Sequence, residues 1–300
     1  MDTGIDDALA VFSGVRPRLF GIAYRMLGSA TEAEDIVQEA WLRWQHADRA
    51  AVLDPPAFLA TTTTRLAINV LQSARARRET YIGPWLPEPV DTSADPTLGA
   101  ERGEALGFAV LVMLERLTPT ERAAYVLREA FAYDYAQICE IVQVSETAAR
   151  QLVSRARKHL TGERRREVPH AEQRRLLTAF VSAAQTGDLA ALERLFAEDV
   201  VSYSDGGGAV RASKFPVHGR LTVAKYVRAF HTHFWEGVAI DAAELNGQPA
   251  VLLSKEGTVF AALTVLASAG DTSPAIDQVL WMMNPAKLAA ARPPSKNSAA

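Results

Sequence analysis

Four prolines and Gly83 fall within the sixteen positions from Tyr81 to Pro96, so no helix can run through that stretch. Pattern to either side is helical, so the segment divides the chain and reads as a linker over 81–97. It is not a solvated spacer. Trp85 and Leu86, inside Gly83-Pro84-Trp85-Leu86-Pro87-Glu88-Pro89, are large apolar groups that predict docking onto a folded surface.

Upstream, Leu19, Ile22, Ala23, Met26 and Leu27 recur at the three-and-four spacing of one helix face. Ser29 with Glu32 makes a capping box for a second helix. Ile36, Val37, Ala40, Trp41 and Trp44 form its apolar stripe, and Glu34, Asp35, Gln38 and Glu39 its polar one. Pro55 and Pro56 start a third helix through Phe58, Leu66 and Leu71, which ends in Arg75, Arg77 and Arg78.

Downstream, an amphipathic stretch spans Leu98 to Leu117, and Thr118-Pro119-Thr120-Glu121 sets a cap, a first-turn proline and a reciprocal acid in order. Two short helices follow across Gln143-Val144-Ser145, a helix-turn-helix candidate. The second would bury Ala148, Ala149, Leu152, Val153 and Ala156 and present Glu146, Thr147, Arg150, Gln151, Ser154, Arg155, Arg157 and Lys158. Arginine grips guanine O6 and N7 bidentately and glutamine pairs an adenine edge, so this face suits a major groove; a solvated basic helix is the alternative.

Beyond the charged break at 163–167 the texture changes. One helix stops at Gly187, Asp188 caps another, and β-rich runs follow at 200–204, 238–245, 250–254, 259–266 and 276–283. Helices followed by a run expected to be antiparallel make an α+β domain at 167–290. The tail 291–300 has no periodicity and is expected to be disordered.

Three hundred residues, 48% hydrophobic, support several packed units. A net charge of −3 excludes wholesale polyanion binding and confines any nucleic-acid site to a patch. The lone Cys139 cannot form an internal disulfide, and its neighbours Ile138 and Ile141 predict a buried thiol. No apolar run is long enough to span a bilayer, and the expectation is a cytoplasmic protein without a membrane partner.

The string Arg18-Leu19-Phe20-Gly21-Ile22-Ala23-Tyr24-Arg25-Met26-Leu27-Gly28, with Ala33 to Trp44, resembles region 2 of the extracytoplasmic-function sigma factors. Leu114 to Arg122, continued in Arg155-Ala156-Arg157-Lys158-His159-Leu160, is similar to their region 4. The resemblance implies core RNA polymerase, through its β and β′ subunits, and promoter DNA as partners. Glu34, Asp35, Gln38, Glu39 and Trp41 would dock on the polymerase clamp. Arg65, Asn69, Gln72, Arg75 and Arg77 would hold the unpaired −10 strand, and Glu146, Thr147, Arg150, Gln151, Ser154 and Arg155 would read the −35 element. Asn69 and Gln72 stand where the family more often carries Asp and Arg.

A third block is similar to the subgroup with a fused SnoaL-like (NTF2-like) cone domain: Arg78 to Pro89, Asp205-Gly206-Gly207-Gly208, and Asn284-Pro285-Ala286-Lys287-Leu288. Trp85, Leu86, Pro87, Glu88, Pro89, Asp205, Gly206, Gly207 and Gly208 are the expected interdomain regulatory contacts. The triple glycine would let the linker nestle against the last domain, or else make a plain hairpin turn. Ala209 replaces the lysine expected after it, a cation that would pair with Glu88 or another acid.

The expected architecture is multi-domain: an all-α region 2 at 1–80, a helix-turn-helix region 4 at 98–162, then the α+β cone. Such cones hold small apolar ligands, so a small molecule is a candidate partner; no cofactor or metal is expected. Tyr203, Asp205, His218, His231, His233 and Asp241 are titratable there, but no spacing pairs a general acid with a base. The reading is an alternative sigma factor, not an enzyme, modulated in cis by its last domain. An isomerase or cyclase with localising helices and a one-component ligand-sensing repressor are the alternatives.

Overall fold

The computed structural model describes residues 3–78, 81–91, 108–161, 168–269 and 273–289, without the side chains of 3–5, 74–78, 108–109 and 161. The expected linker end (92–97), the first part of the 98–117 stretch, the 163–167 break and the 291–300 tail lie outside the described residues, as do the side chains of Arg75 and Arg77. The chain forms two units: Met1–Glu79 with Asp95–Glu163, and Thr80–Ala94 with Arg164–Ala300. The proline-rich linker therefore belongs with the C-terminal part of the chain, while the helical blocks on either side of it in sequence form the other unit.

In the helical unit, α1 (Thr3–Leu27), α2 (Ala30–His46) and α3 (Pro55–Arg78) pack around Leu19, Ile22, Met26, Ile36, Val37, Trp44 and Leu59. Ser29 accepts from the Glu32 amide at 3.1 Å and fixes the start of α2. Trp44 donates its indole N–H to the Ala8 carbonyl at 3.2 Å, so this large side chain is buried without losing a hydrogen bond. After α4 (Phe108–Leu114), Thr118 and Glu121 form the reciprocal box that opens α5 (Pro119–Glu129).

Next come α6 (Tyr135–Val142) and α7 (Glu146–Thr161). Asp134 and Gln137 cap α6, Gln143 turns the chain at φ +59°, and Ser145 accepts from the Ala148 amide at 3.2 Å. Ile138 and Ile141 face Leu152, Val153 and Ala156 in this small core. Cys139 does not join them. It is half-buried and donates to the Ala136 carbonyl, because the inward stripe of α6 runs through positions 138 and 141.

The second unit begins with α8 (His170–Thr186) and α9 (Leu189–Leu195), separated by Gly187 at φ +67° and the Asp188 cap. Six strands follow: β1 (Phe196–Asp205), β2 (Val217–His218), β3 (Ala239–Leu245), β4 (Gln248–Lys255), β5 (Thr258–Ala269) and β6 (Pro274–Met282). Between β2 and β3 lie α10 (Arg220–Ala229) and α11 (His231–Phe234). The short α12 (Pro285–Leu288) follows β6.

The sheet order is β2-β1-β6-β5-β4-β3. The expectation of antiparallel strands fails at one place: β1 and β6 run parallel. Tight turns enforce antiparallel pairing only between consecutive strands, and β1 meets β6 after the whole intervening domain has been traversed. Two-residue β2 is too short to carry an alternation and was not expected. Phe180, Phe196, Val279 and Trp281 fill the space between sheet and helices.

Candidate functional sites: a reading helix and a linker clasp

Every side chain expected on the reading face of α7, namely Glu146, Thr147, Arg150, Gln151, Ser154, Arg155, Arg157 and Lys158, is exposed, while Ala149, Leu152, Val153 and Ala156 are buried. Three of the arginines are held by acids: Arg150 by Glu146 at 2.5 Å, Arg155 by Glu121 at 3.5 Å and Arg157 by Glu129 at 2.7 Å. Arg150 also lies 4.4 Å from the centre of the Tyr135 ring. Arg150 and Glu146 are both exposed, and such a pair is worth at most about 1 kcal/mol, whereas Arg155 meets the buried Glu121 and Arg157 the half-buried Glu129; in all three the acid orients an exposed guanidinium group.

On α2, Glu34, Asp35 and Gln38 are exposed and Glu39 and Trp41 are half-buried, all at one end or along the outer side of the Ala33-Ile36-Val37-Ala40 stripe. Trp41 belongs partly to the core: its ring packs on Phe12 at 4.9 Å. Asn69 and Gln72 are exposed on α3. Arg65 is exposed too, but its guanidinium donates to the carbonyls of Glu140 (2.8 Å) and Ile141 (3.0 Å). These are carbonyls at the end of α6, where the helix dipole favours a cation.

Arg65 is one of several arginines among the described residues that tie the early helices to the later ones. Arg18 donates to the Phe131 carbonyl at 3.1 Å and lies over the Tyr133 ring. Arg122 is 2% exposed and donates to the Met26 carbonyl at 2.6 Å and to Glu115 at 2.8 Å. Burial pushes the Arg122 pKa down to about 9, so it stays a cation at neutral pH. Breaking such a buried pair leaves an uncompensated charge.

The linker is seated by a polar cluster with Asp205 at its centre. Asp205 is wholly buried at the end of β1. One carboxylate oxygen accepts from the Tyr81 hydroxyl at 2.5 Å and the Gly207 amide at 3.1 Å, and the other from the Leu86 amide at 2.8 Å and Lys287 Nζ at 2.7 Å. Lys287 also donates to the Leu86 carbonyl at 2.6 Å, and its ammonium lies 4.0 Å from the Trp85 ring centre. The carboxylate thus has four donors, the condition under which a buried ion pair is tolerable.

Burial first, and then the Asp205 hydrogen bond, hold the Tyr81 phenol well above its ordinary pKa. Its oxygen in turn accepts from Asn284 Nδ2 at 2.9 Å. Farther along, Asn246 receives the Val90 amide on its side-chain oxygen at 2.6 Å and donates its own amide to the Val90 carbonyl at 2.8 Å. The Asn246-Gly247 turn joins β3 to β4 with both residues at positive φ, so one asparagine both makes the hairpin and grips the linker.

The triple glycine is placed against the linker. Gly207 and Gly208 have φ of +57° and +75°, and a Cβ on them would come within 2.3 Å of Asn284 and 3.0 Å of Ile82. Leu86, Pro87, Glu88 and Pro89 are buried and Trp85 half-buried. The cation sought at position 209 is supplied instead from α12: Ala209 is exposed, and Lys287 pairs with Asp205. Tyr81, Asn246, Asn284 and Lys287 were missed as site residues. Tyr81, Asn284 and Lys287 sit inside the quoted motifs, and Asn246 announces only its turn.

Of the other titratable side chains in this unit, His231 is fixed by the Arg228 carbonyl at 2.8 Å, while His218, His233 and Asp241 are exposed. Among the described residues no group of His, Cys, Asp or Glu could hold a metal, and no helix is long and apolar enough to cross a membrane.

Residues 11–77 match the family model for Sigma-70 region 2, and residues 108–160 that for Sigma-70, region 4. The chain is 38% identical to the ECF RNA polymerase sigma factor SigJ of Mycobacterium tuberculosis over 244 residues, 79% of this chain and 78% of the relative. The chain belongs to the ECF sigma factor family. A second relative, the probable ECF RNA polymerase sigma factor SigI of M. tuberculosis, is 31% identical and spans 88% of this chain and 90% of its own. The crystal structure of M. tuberculosis SigJ superposes with a TM-score of 0.74 at 32% identity, covering 94% of this chain and 98% of that one. This ECF sigma factor is accordingly an alternative transcription initiation factor, not an enzyme, that works with RNA polymerase and promoter DNA. Its helical sigma regions are followed by the mixed-sheet SnoaL-like domain.

Proposed function

We propose that the chain directs promoter-specific initiation with a division of labour among its parts, and that the SnoaL-like domain governs it in cis by holding the linker. Residues 1–80 serve as region 2, with Glu34, Asp35, Gln38, Glu39 and Trp41 on the β′ clamp and Asn69 and Gln72, with Arg65, Arg75 and Arg77, on the −10 strand. Residues 98–162 serve as region 4, with Glu146, Thr147, Arg150, Gln151, Ser154 and Arg155 in the major groove of the −35 element. Core polymerase, bound through β and β′ in the cytoplasm, completes the complex.

The observation that carries the cis control is the four-donor seat of Asp205, which fastens Tyr81, Leu86 and Lys287 together. The two DNA-binding regions are joined covalently through this linker. A seated linker shortens the tether between them, and the −10 and −35 elements lie more than one helical turn apart on DNA. Arg65 takes part in a second control: while it caps α6 it is withheld from the −10 strand.

The test is initiation on promoter DNA by sigma-free core polymerase with the full chain and with Asp205→Asn. Specific starts by the wild type, with a changed rate for the variant, support the reading. Specific starts at equal rates would remove cis control and leave the sigma assignment standing.

A further inference from the structure

The SnoaL-like unit contains a cavity of about 670 Å³, within the range of pockets that take drug-sized ligands. Its walls are rings. Phe234 meets Trp235 edge-on at 5.0 Å and Trp281 at 5.6 Å, and Tyr226 meets Phe230 at 5.1 Å. Edge-to-face arrays of this kind leave flat π surfaces that favour another planar ring. Phe230 is 49% exposed, a large apolar side chain left at the rim.

The polar lining is one-sided. Arg211, His233, Ser204 and Ser213 border the cavity, and no carboxylate does. Arg211 is exposed and has no ion-pair partner among the described residues. An amine would meet a cation here and find no counter-charge; an acid would gain a charge-assisted bond.

The cavity also shares its wall with the linker seat. Ser204, which lines it, immediately precedes Asp205, and Gly83 of the linker packs against the same segment: a Cβ there would lie 3.9 Å from the Ser204 carbonyl and 3.7 Å from that of Ser213. Segment 204–213 therefore borders both the cavity and the linker.

We infer that this cavity binds a flat, ring-containing organic anion, with the rings between Tyr226, Phe234 and Trp281 and the acid on Arg211, and that occupancy alters the linker seat through segment 204–213. The second half rests on the cis control proposed above. A ligand shifts the seat only by as much as its affinity differs between seated and released forms.

Two probes of one shape and different charge test it on the full chain: 8-anilino-1-naphthalenesulfonate and the uncharged N-phenyl-1-naphthylamine. Calorimetry is expected to give one saturable site per chain for both. Arg211→Gln should weaken the sulfonate about tenfold and leave the neutral probe within about twofold. Ala229→Trp, which fills the cavity from the exposed end of α10, should remove the site for both. Binding of several equivalents indifferent to both variants, or equal losses of the two probes with Arg211→Gln, would overturn the site. Hydrogen exchange at the Leu86 amide, with and without saturating sulfonate, reads the coupling. One-site binding with unchanged Leu86 exchange would overturn the coupling alone, because the linker seat itself is judged separately by Asp205→Asn transcription.

Discussion

Lys287 and Asp205 meet at 2.7 Å with the lysine side chain 7% exposed and the aspartate 0%, across 82 residues of sequence. Both also hold the linker, Asp205 through Tyr81 and the Leu86 amide and Lys287 through the Leu86 carbonyl, so the pair works as the pin of a three-part joint. Removing one member of a buried pair commonly costs about 3–5 kcal/mol, because the survivor keeps its desolvation penalty. Asp205→Asn is expected to destabilise the C-terminal unit on that scale in urea unfolding. A loss below roughly 1 kcal/mol would mean that solvent reaches Lys287 freely.

Tyr81 gives the joint a pH limit. Its phenol pKa is raised in the folded chain, so as pH rises past the ordinary value near 10 the unfolded chain loses its proton first and unfolding is favoured. The contribution is fully present below that pH and is lost above it. Thermal unfolding from pH 8 to 11 should show a decline beginning at about pH 10. Tyr81→Phe should be less stable at pH 8 and lack that part of the decline; parallel curves would exclude Tyr81 as the titrating group.

Gly207→Ala should unseat the linker without touching a charge. The residue sits at φ +57°, and the new methyl would fall 2.3 Å from Asn284 Nδ2. Strain and displacement of the Asn284–Tyr81 hydrogen bond together are expected to cost about 1–3 kcal/mol. Limited proteolysis within 81–91 should accelerate. Unaltered cleavage would show that the glycine run can shift to accept a side chain.

Arg150→Ala and Arg155→Ala should each weaken −35 recognition by about 1–3 kcal/mol if the contact is bidentate to a base. Arg157→Ala, which loses an acid partner on α5, should act mainly through phosphate contact and reduce binding to all sequences alike. The readout is initiation from promoters altered base by base in the −35 element. Equal transcription from the wild type and both Arg150 and Arg155 variants would take these residues off the reading face.

Most of the helical part was legible because each local signal agreed with the next. Ser29, Thr118 and Ser145 all cap the helices that begin after them, and the stripe Leu152-Val153-Ala156 is the buried one. Less legible was everything that depends on contacts distant in sequence. The β1–β6 pairing, the capture of Arg65 by α6 and the meeting of Tyr81, Asp205 and Lys287 each join segments at least 75 residues apart. No periodicity encodes such meetings. Trp85 and Leu86 did signal that the linker docks, since apolar groups of that size need a surface, but nothing local named the surface.

The same joint has a consequence for solubility. β3 is the outer strand of the sheet, and the linker lies along its end, with Asp91 bridged to Leu245 and Val90 doubly bonded to Asn246. A strand margin with unpaired amides and carbonyls is a template for other chains. Release of the linker under the cis control proposed above would uncover that end of the strand, so the released form is expected to self-associate more readily than the seated one.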